Sequence, residues 1–274
     1  MSDCTTETPL TIPLPTGARL PGILTSPPAP ARGFLLLLHG MASHHNHSFA
    51  PALAAHLSTT LRAHVLRYTS RGPTCPEEPT HRFRISGAAT DDVHDLTHAL
   101  AHAHAQALGP LLALVGHSRG ANVILFHAAS AAAAAAAAGT PAPLVPLVCL
   151  SPRHHLTGMV ASRIFSDAQR AALAAGESTQ WVTKAGTITV TPEDVAELAA
   201  LGTMASTLAA LPPCPLLLVH GTGDATIPHT DSEAMAAARP QHTQLVLLPK
   251  AKHNYDGMEP RLLSEVAAFL GQGE

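Results

Sequence analysis

A serine flanked by glycines is the clearest candidate for covalent chemistry in this sequence. Residues 116–120 read Gly-His-Ser-Arg-Gly, after an apolar run at residues 111–115 and before a helix-like stretch at residues 122–138. A serine hydroxyl is exposed as a nucleophile when it sits on a strained turn between a buried strand and a helix, where glycines relieve the crowding. The context therefore indicates a nucleophile elbow that presents Ser118.

Two later residues could supply the base and the acid that a serine nucleophile requires. Asp224 lies in the segment His-Gly-Thr-Gly-Asp, which follows the apolar residues 216–219, and His253 follows the apolar run at residues 244–248. Both side chains are therefore expected on loops that leave the carboxyl ends of strands. The chain order serine, acid, histidine occurs in one class of serine hydrolase. We interpret Ser118, Asp224 and His253 as a candidate catalytic triad.

Backbone groups could stabilise the negative charge that develops when a serine attacks an acyl carbon. The apolar run at residues 35–38 ends in His-Gly-Met, where the glycine allows the backbone to turn beneath a substrate oxygen. We predict that the N–H groups of Met41 and Arg119 form this oxyanion hole. The side chains of both residues are assigned no role.

Strand-like and helix-like segments alternate along the chain, which is typical of a mostly parallel sheet covered by helices. The predicted fold class is α/β, with about eight strands and helices on both faces. Residues 11–14 and 19–24 flank a Pro-Thr-Gly turn and should form an antiparallel hairpin at the sheet edge. Buried strands are predicted at residues 34–38, 63–68, 111–115, 144–150, 216–220 and 244–248. Helices are predicted at residues 47–61, 88–108, 122–138, 231–238 and 261–270.

Residues 152–213 interrupt this alternation. Helical patterns near residues 166–175 and from residue 191, where Thr191 should cap the helix, surround a β-like run at residues 187–190. We expect a single domain over residues 1–274, with this insertion as a small cap above the ligand-binding edge of the sheet. A cap of this size favours a short-chain or aryl acyl group over a long lipid. Arg153 and Arg163 could bind a substrate carboxylate, although we expect both at the surface.

Composition argues against several classes of function. The 274 residues carry a formal charge of −3 without a Lys/Arg cluster, which argues against nucleic-acid and anionic-membrane partners. The first residues do not resemble a signal peptide, and no apolar run approaches the ~18 residues that span a bilayer. Four scattered cysteines are expected to be reduced. We therefore expect a cytoplasmic protein with a small-molecule substrate, and the oligomeric state stays open.

Histidine is frequent, with nineteen in the sequence. His94, His98 and His102 repeat every four residues, a spacing that can bind zinc or nickel. Asp91 and Asp95 lie beside them, away from the apolar residues that repeat at three- and four-residue spacing along this helix. We therefore interpret this helix face as a solvated surface. The apolar stripe consists of Val93, Leu96, Leu100, Ala103 and Ala107. The histidines at residues 44–47 are interpreted as an exposed polar loop, with a position at the mouth of a pocket as the alternative. We expect neither a metal nor another cofactor.

Taken together, the motifs resemble those of the α/β-hydrolases, in the serine aminopeptidase-like group. The resemblance covers nearly the whole chain and is closest to plant and bacterial feruloyl- and cinnamoyl-esterase-like members. It is carried by Gly-x-x-Leu-x-Gly at residues 17–22, His-Gly at 39–40, Asp-Asp-Val at 91–93, Gly-His-Ser-x-Gly at 116–120, His-Gly-x-x-Asp-x-x-x-Pro at 220–228 and His-Asn at 253–254. The resemblance implies an α/β-hydrolase fold and hydrolysis of a carboxylic ester through a serine acyl-enzyme.

Two segments depart from the family pattern. Residues 67–74 stand where the family usually has Asp-x-x-Gly-x-Gly, with Thr69 and Thr74 in place of the acid and the second glycine. Ala121 stands where a second glycine is common after the elbow.

Thioesterase, amidase and peptidase activities also stay open, because the fold does not fix the acyl group. A rival interpretation is a ligand-binding protein on a hydrolase fold with little turnover, since the altered loop could distort the site.

Overall fold

The structure is a computed structural model that describes residues 4–75, 82–161, 164–184 and 186–272. The strands of these residues are β1 (Thr6–Pro13), β2 (Arg19–Ser26), β3 (Phe34–Leu38), β4 (His64–Tyr68), β5 (Leu111–His117), β6 (Leu147–Leu150), β7 (Thr179–Thr183), β8 (Gly186–Val190), β9 (Leu216–Gly221) and β10 (Thr243–Leu248). Their α-helices are α1 (Ala50–Leu61), α2 (Asp91–Ala105), α3 (Arg119–Ala137), α4 (Gly158–Ala161), α5 (Asp167–Ala174), α6 (Pro192–Leu201), α7 (Ala205–Ala209), α8 (Thr230–Ala238) and α9 (Glu259–Gly271).

Eight strands form one sheet in the order β1-β2-β4-β3-β5-β6-β9-β10. β1 and β2 pair antiparallel at one edge, with Thr6 opposite Ser26 and Pro13 opposite Arg19, which confirms the predicted hairpin. β2 also pairs antiparallel with β4, whereas all strands from β4 to β10 in this order pair in parallel. The mostly parallel sheet confirms the predicted α/β architecture, and its parallel strands bring their carboxyl ends to one edge.

Helices cover both faces of the sheet, because its central strands are apolar on both sides. Along β3, Leu36 and Leu38 join the core cluster that includes residues of α2 and α3. The alternate residues Leu35 and Leu37 join the cluster that includes residues of α1 and α9. Side chains of a strand alternate between the two faces, so the five consecutive apolar residues of β3 serve two cores.

Helix α3 leaves the centre of the sheet. Residues 119–126 are buried, whereas the residues of the alanine-rich second half are partly buried or exposed. Among the described residues, α3 is the one helix whose length and mean hydropathy of 1.4 would allow it to cross a bilayer, although no such run was expected. The core helix of a soluble protein passes the same test, and the first half of α3 packs against β5 and β6.

The insertion at residues 152–213 lies between β6 and β9 and contains α4 to α7. Thr191 caps α6, as predicted, in a capping box with Asp194. β7 pairs antiparallel with β8 in a small second sheet. The sequence analysis missed β7, since its burial alternates without a long apolar run.

Helix α2 corrects one expectation about its polar face. Asp95 is fully buried and forms an ion pair of 2.8 Å with Arg71, so it does not belong to a solvated surface. His94 is exposed, and its Nε2 lies 3.2 Å from Nε2 of the half-buried His98. The predicted apolar stripe of the helix is buried at Leu96 and Leu100.

Candidate active site

Ser118 lies at the junction between β5 and α3. Its backbone has φ of 53° and ψ of −119°, which is a strained conformation for a residue with a side chain. A Cβ atom on Gly116 would lie 2.3 Å from the carbonyl oxygen of Gly120, and one on Gly120 would lie 2.6 Å from that of His39. Both positions of the motif therefore need glycine for the close approach of backbone to backbone.

Asp224 and His253 lie on neighbouring loops after β9 and β10. Asp224 Oδ2 is 2.7 Å from His253 Nδ1. The Asp224 side chain is fully buried, whereas that of His253 is 17% exposed. A Cβ atom on Gly221 would lie 2.1 Å from the carbonyl oxygen of Ala251, so the glycine lets the two loops approach closely. The structure thus brings together the acid and the histidine that the sequence analysis selected.

Asp224 is surrounded by hydrogen-bond donors. Its Oδ1 accepts the N–H groups of Thr226 and Ile227 at 2.8 and 2.9 Å, and its Oδ2 lies 3.2 Å from His220 Nε2. Burial alone would raise the pKa of Asp224, but the hydrogen bonds from His220, His253 and Ile227 and the charge of His253 hold this pKa well below its ordinary value. Asp224 is therefore a permanently charged partner for His253.

His220 was given no role in the sequence analysis, although it begins the motif that contains Asp224. Its Nε2 also lies 3.1 Å from the carbonyl oxygen of Ile227, and its Nδ1 lies 2.7 Å from Ser232 Oγ. Because both neighbours of Nε2 are acceptors, Nε2 carries a proton and donates to Asp224. His220 therefore holds the same Asp224 oxygen, Oδ2, that His253 contacts.

A cavity of about 280 Å³ opens beside Ser118. Four of the five predicted site residues line this cavity, namely Met41, Ser118, Arg119 and His253, whereas Asp224 lies behind His253. As the first residue of α3, Arg119 has an N–H group without an intrahelical acceptor. The cavity therefore gathers the nucleophile candidate, the base candidate and both predicted amide donors.

The segment that carries Met41 is held by the histidine before it. His39 Nε2 accepts the N–H of Ser70 at 3.0 Å, so Nδ1 carries the proton and donates to the carbonyl oxygen of Gly40 at 2.6 Å. This carbonyl belongs to the peptide group whose N–H is that of Met41. Because the two groups of a trans peptide point in opposite directions, His39 fixes the direction of the Met41 N–H.

The altered loop at residues 69–74 packs against this segment. Thr69 Oγ1 lies 2.7 Å from His45 Nδ1 and accepts the N–H of His45 at 3.2 Å. The hydroxyl of Thr74 donates to the carbonyl oxygen of Ser43. The two threonines that depart from the family pattern therefore bind residues 43–45, next to the predicted oxyanion-hole residue Met41.

The side chain of Arg119 has a structural role that the sequence analysis missed. It is 8% exposed, and its Nε donates to Asp92 at 2.5 Å. Its Nη groups donate to the carbonyl oxygens of Ile85 and Arg84 at 2.5 and 3.0 Å. An Asp at residue 92 was visible in the sequence, but the fold was needed to pair it with Arg119. These bonds tie the start of α3 to the first turn of α2 and to the segment before it.

His117 holds the loop of His253 through a hydrogen bond. Burial lowers the pKa of His117 to about 3, so its ring is neutral, and Nε2 donates to the carbonyl oxygen of His253 at 2.9 Å. Tyr255 is also fully buried, and its hydroxyl donates to the carbonyl oxygen of Val219 at 2.8 Å. The chain at His253 and two residues beyond it is therefore held to β5 and β9.

The insertion forms the apolar wall of the cavity. Its contributions are Leu156, Met159, Ile164, Trp181 and Leu198. Arg153 also lines the cavity and is only 9% exposed, so the expectation that it lies at the surface was wrong. The reason is that residue 153 lies only three residues after the end of the buried strand β6, in a segment that stays buried. Arg163 lies outside the described residues.

Histidines near the cavity do not form a metal-ligand cluster. His47 lines the cavity, as the alternative interpretation of its loop proposed, whereas His44 is exposed. Within the described ranges, no group of three or more His, Cys, Asp or Glu residues is arranged to bind a metal ion. The expectation that activity needs no metal stays a prediction, which kinetics after exhaustive chelation would test.

Several solved structures share this architecture. Est1E from Butyrivibrio proteoclasticus has a TM-score of 0.71 at 17% identity over 96% of this chain and 98% of that chain. The alpha/beta hydrolase GrgF from Penicillium sp. sh18 has a TM-score of 0.70 at 17% identity, over 97% of this chain and 98% of that chain. The Pyrococcus furiosus esterase Pf2001 has a TM-score of 0.68 at 13% identity, over 98% of this chain and 93% of that chain.

At these identities the structural similarities show a common fold. A search of curated proteins finds no significant match. The model of the alpha/beta hydrolase family matches residues 35–268, which include the junction at Ser118 and the loops of Asp224 and His253. The fold, the order of these elements and this match lead to one conclusion: the chain belongs to the alpha/beta hydrolase family.

Proposed function

We propose that this protein hydrolyses a small carboxylic ester through a serine acyl-enzyme. Ser118 acts as the nucleophile, His253 as the general base and Asp224 as the acid that orients the base. The observation that carries this proposal is the 2.7 Å contact of Asp224 with His253 Nδ1, while His253 shares a cavity with the strained Ser118. A nucleophile, a base and a third group that orients the base are the parts that acyl transfer requires.

The reaction proceeds in two halves. In the first, His253 Nε2 takes the Ser118 proton as Oγ attacks the acyl carbon, since Nδ1 is committed to Asp224. The N–H groups of Met41 and Arg119 stabilise the oxyanion. His253 then returns the proton to the departing alcohol, which leaves the acyl group on Ser118. In the second half, water attacks this acyl group by the same route and releases the acid.

The cavity favours a short-chain or aryl acyl group. Its volume of about 280 Å³ is near the small end of ligand pockets, which range from roughly 300 to 1,000 Å³. Trp181, Met159 and Ile164 offer an apolar wall for a flat or short group. Est1E, one of the similar structures, was solved with bound ferulic acid, an aryl acid. This likeness supports an aryl ester as the first substrate to test.

Hydrolysis of p-nitrophenyl acetate by matched serine variants tests the proposal. Ser118→Ala should abolish turnover above background and leave the circular dichroism unchanged, because its hydroxyl contributes no core packing. Ser43→Ala is the control, since Ser43 lines the same cavity and its hydroxyl has no hydrogen-bond partner among the described residues. Retained activity in folded Ser118→Ala would refute the assignment. Absence of turnover in the wild type as well would favour the ligand-binding interpretation.

A further inference from the structure

Arg153 is fixed beside the candidate nucleophile by its own backbone. Asn122 lies one turn of α3 beyond Ser118, and its Nδ2 donates to the carbonyl oxygen of Arg153 at 2.7 Å. In return, the N–H of Arg153 donates to Asn122 Oδ1 at 3.2 Å. Residues four apart on a helix are neighbours. The side chain of Arg153 therefore starts from a rigid position close to the reacting serine.

The guanidinium of Arg153 is buried without a carboxylate partner. The residue is 9% exposed, and its Nη2 donates to the carbonyl oxygen of Thr226 at 3.1 Å. No carboxylate forms an ion pair with it among the residues that the structure describes. The acids that act on it electrostatically are Asp231 and Asp224. Asp224 already accepts several hydrogen bonds, and Asp231 accepts the amides of residues 154 and 155.

Two other buried arginines, Arg119 and Arg239, have different surroundings. Arg119, the second cation on the cavity wall, is paired with Asp92. Arg239 also forms no ion pair with a carboxylate of the described residues, but it donates to the carbonyl oxygens of Pro212 and Cys214 and does not line the cavity. A guanidinium has five N–H donors in a fixed fork and stays protonated in proteins. Among the described residues that line the cavity, Arg153 is therefore the arginine without a carboxylate partner, and the hydrogen bond of its guanidinium to Thr226 leaves further N–H groups for a ligand.

The rest of the cavity wall supports an anionic ligand. Of the described residues that line it, none is Asp or Glu. We infer that Arg153 binds a carboxylate group of the substrate, so that the preferred substrate is a short or aryl monoester that also bears a free carboxylate. This inference rests on the proposed function and adds to it the charge of the substrate. Arginine matches a carboxylate because two of its N–H groups can donate in parallel.

The shape of the site explains how both ends of such a molecule would be held. Leu156 and Met159 lie a few residues beyond Arg153 and line the same cavity, so an apolar bridge can pack between the cation and Trp181. The ester carbonyl then lies at Ser118, one helical turn from the residue that fixes Arg153. A neutral ester fills the apolar part and leaves the guanidinium donors unused, which costs affinity in a buried site.

Two pairs of esters test the inference, because the carboxylate could belong to either side of the ester bond. The first pair is 4-acetoxybenzoate and 4-methylphenyl acetate, which differ in the alcohol part. The second is monomethyl glutarate and methyl pentanoate, which differ in the acyl part. We expect the wild type to prefer the carboxylate member of at least one pair. In that pair, Arg153→Met should lower kcat/KM for the carboxylate ester about tenfold or more relative to the neutral ester.

Arg261→Met is the matched control, because Arg261 is an exposed cation on α9 that lies outside the cavity. This variant should keep the wild-type ratio of kcat/KM values in both pairs. If Arg153→Met does not fold, Arg153→Gln removes the same charge with a polar side chain. An unchanged ratio in both ester pairs after loss of the Arg153 charge would overturn the inference.

A binding measurement separates failure of the inference from failure of the proposed function. The ketones 4-acetylbenzoate and 4-methylacetophenone contain no ester bond, so calorimetry with the wild type does not depend on turnover. We expect the carboxylate ketone to bind about tenfold or more tightly, and Arg153→Met to remove this difference. Equal binding of both ketones, with normal hydrolysis of neutral esters, would overturn the carboxylate subsite alone. Tighter binding of the carboxylate ketone, without hydrolysis of any ester, would support the subsite and refute the proposed function.

Discussion

Asp224 holds the most tightly defined position in the candidate site. His253, His220 and the amides of Thr226 and Ile227 all surround its carboxylate. Each oxygen therefore has a fixed direction, and the bond from His253 Nδ1 determines which nitrogen of that ring faces the cavity. An asparagine at residue 224 would keep the shape of the side chain but place an N–H group against one of these donors. Substitution by asparagine therefore tests whether Asp224 is the acid.

Asp224→Asn should lower kcat by about 10⁴-fold. This magnitude is that of the corresponding change in the serine-protease triad, where the wrong histidine tautomer is stabilised. Asp256→Asn is the control, because Asp256 is an exposed acid three residues after His253. Steady-state kinetics with an activated ester would measure both variants. A loss smaller than about tenfold in Asp224→Asn would assign the acid to another residue.

At the scale of elements, His39 and the loop at residues 69–74 hold the segment that carries Met41. His39 orients the peptide of Met41, and Thr69 binds the amide and the ring of His45. Thr69 replaces an acid of the family pattern, so its loop raised the possibility of an impaired site. In the structure its hydroxyl makes specific contacts with the neighbouring loop, and a defined effect of its removal follows.

Thr69→Val should lower kcat about tenfold, with a smaller effect on KM, because the oxyanion donors act mainly in the transition state. Valine keeps the shape of threonine and removes the hydroxyl that binds His45. Thr69→Ser retains a hydroxyl and should keep most of the activity. Equal kcat values in the valine variant and the wild type would show that this contact does not support catalysis.

The insertion should limit the length of the acyl chain. Each further buried CH₂ group stabilises a complex by about 0.8 kcal/mol only where apolar wall is present. The wall formed by Trp181, Met159 and Ile164 is short, so kcat/KM should stop rising well before about twelve acyl carbons. Measurement of kcat/KM across a series of p-nitrophenyl esters would test this. A value that keeps rising beyond that length would contradict a small acyl pocket.

The elements that could be predicted from the sequence are those whose pattern is local. β3 was predicted with its observed bounds, because a buried parallel strand is a continuous apolar run. Asp95 and Arg153 were wrongly predicted to be exposed, because the burial of a charged side chain depends on residues that are distant in the sequence. Asp95 is buried against Arg71, and the position of Arg153 depends on Asn122. The chain order of Ser118, Asp224 and His253 was visible, whereas the supporting histidines were not.

At the scale of the whole molecule, two neutral histidines, one buried and one partly buried, couple the site to stability. Burial lowers the pKa of His39 to about 4 and that of His117 to about 3. In the unfolded chain both groups have a pKa of about 6.5. As the pH falls below about 6.5, the unfolded chain therefore binds protons that the folded protein does not bind. The free energy of unfolding then decreases with falling pH.

This linkage predicts a loss of roughly 2 kcal/mol for each of the two histidines between about pH 6.5 and pH 5. His117→Gln should reduce the loss by about that amount, since glutamine does not titrate and can still donate to the carbonyl oxygen of His253. The exposed His242 provides the control variant His242→Gln. Urea unfolding at both pH values would measure the difference. An unchanged pH dependence in His117→Gln would contradict the assignment.

The central claim is that Ser118 is the nucleophile of this hydrolase-family protein. Its most direct test is to label the protein with a fluorophosphonate probe and to map the adduct by peptide mass spectrometry. We expect one adduct, on Ser118, which Asp224→Asn slows and Ser118→Ala abolishes. An adduct on a different serine, or none on a folded sample that still hydrolyses esters, would refute Ser118 as the nucleophile.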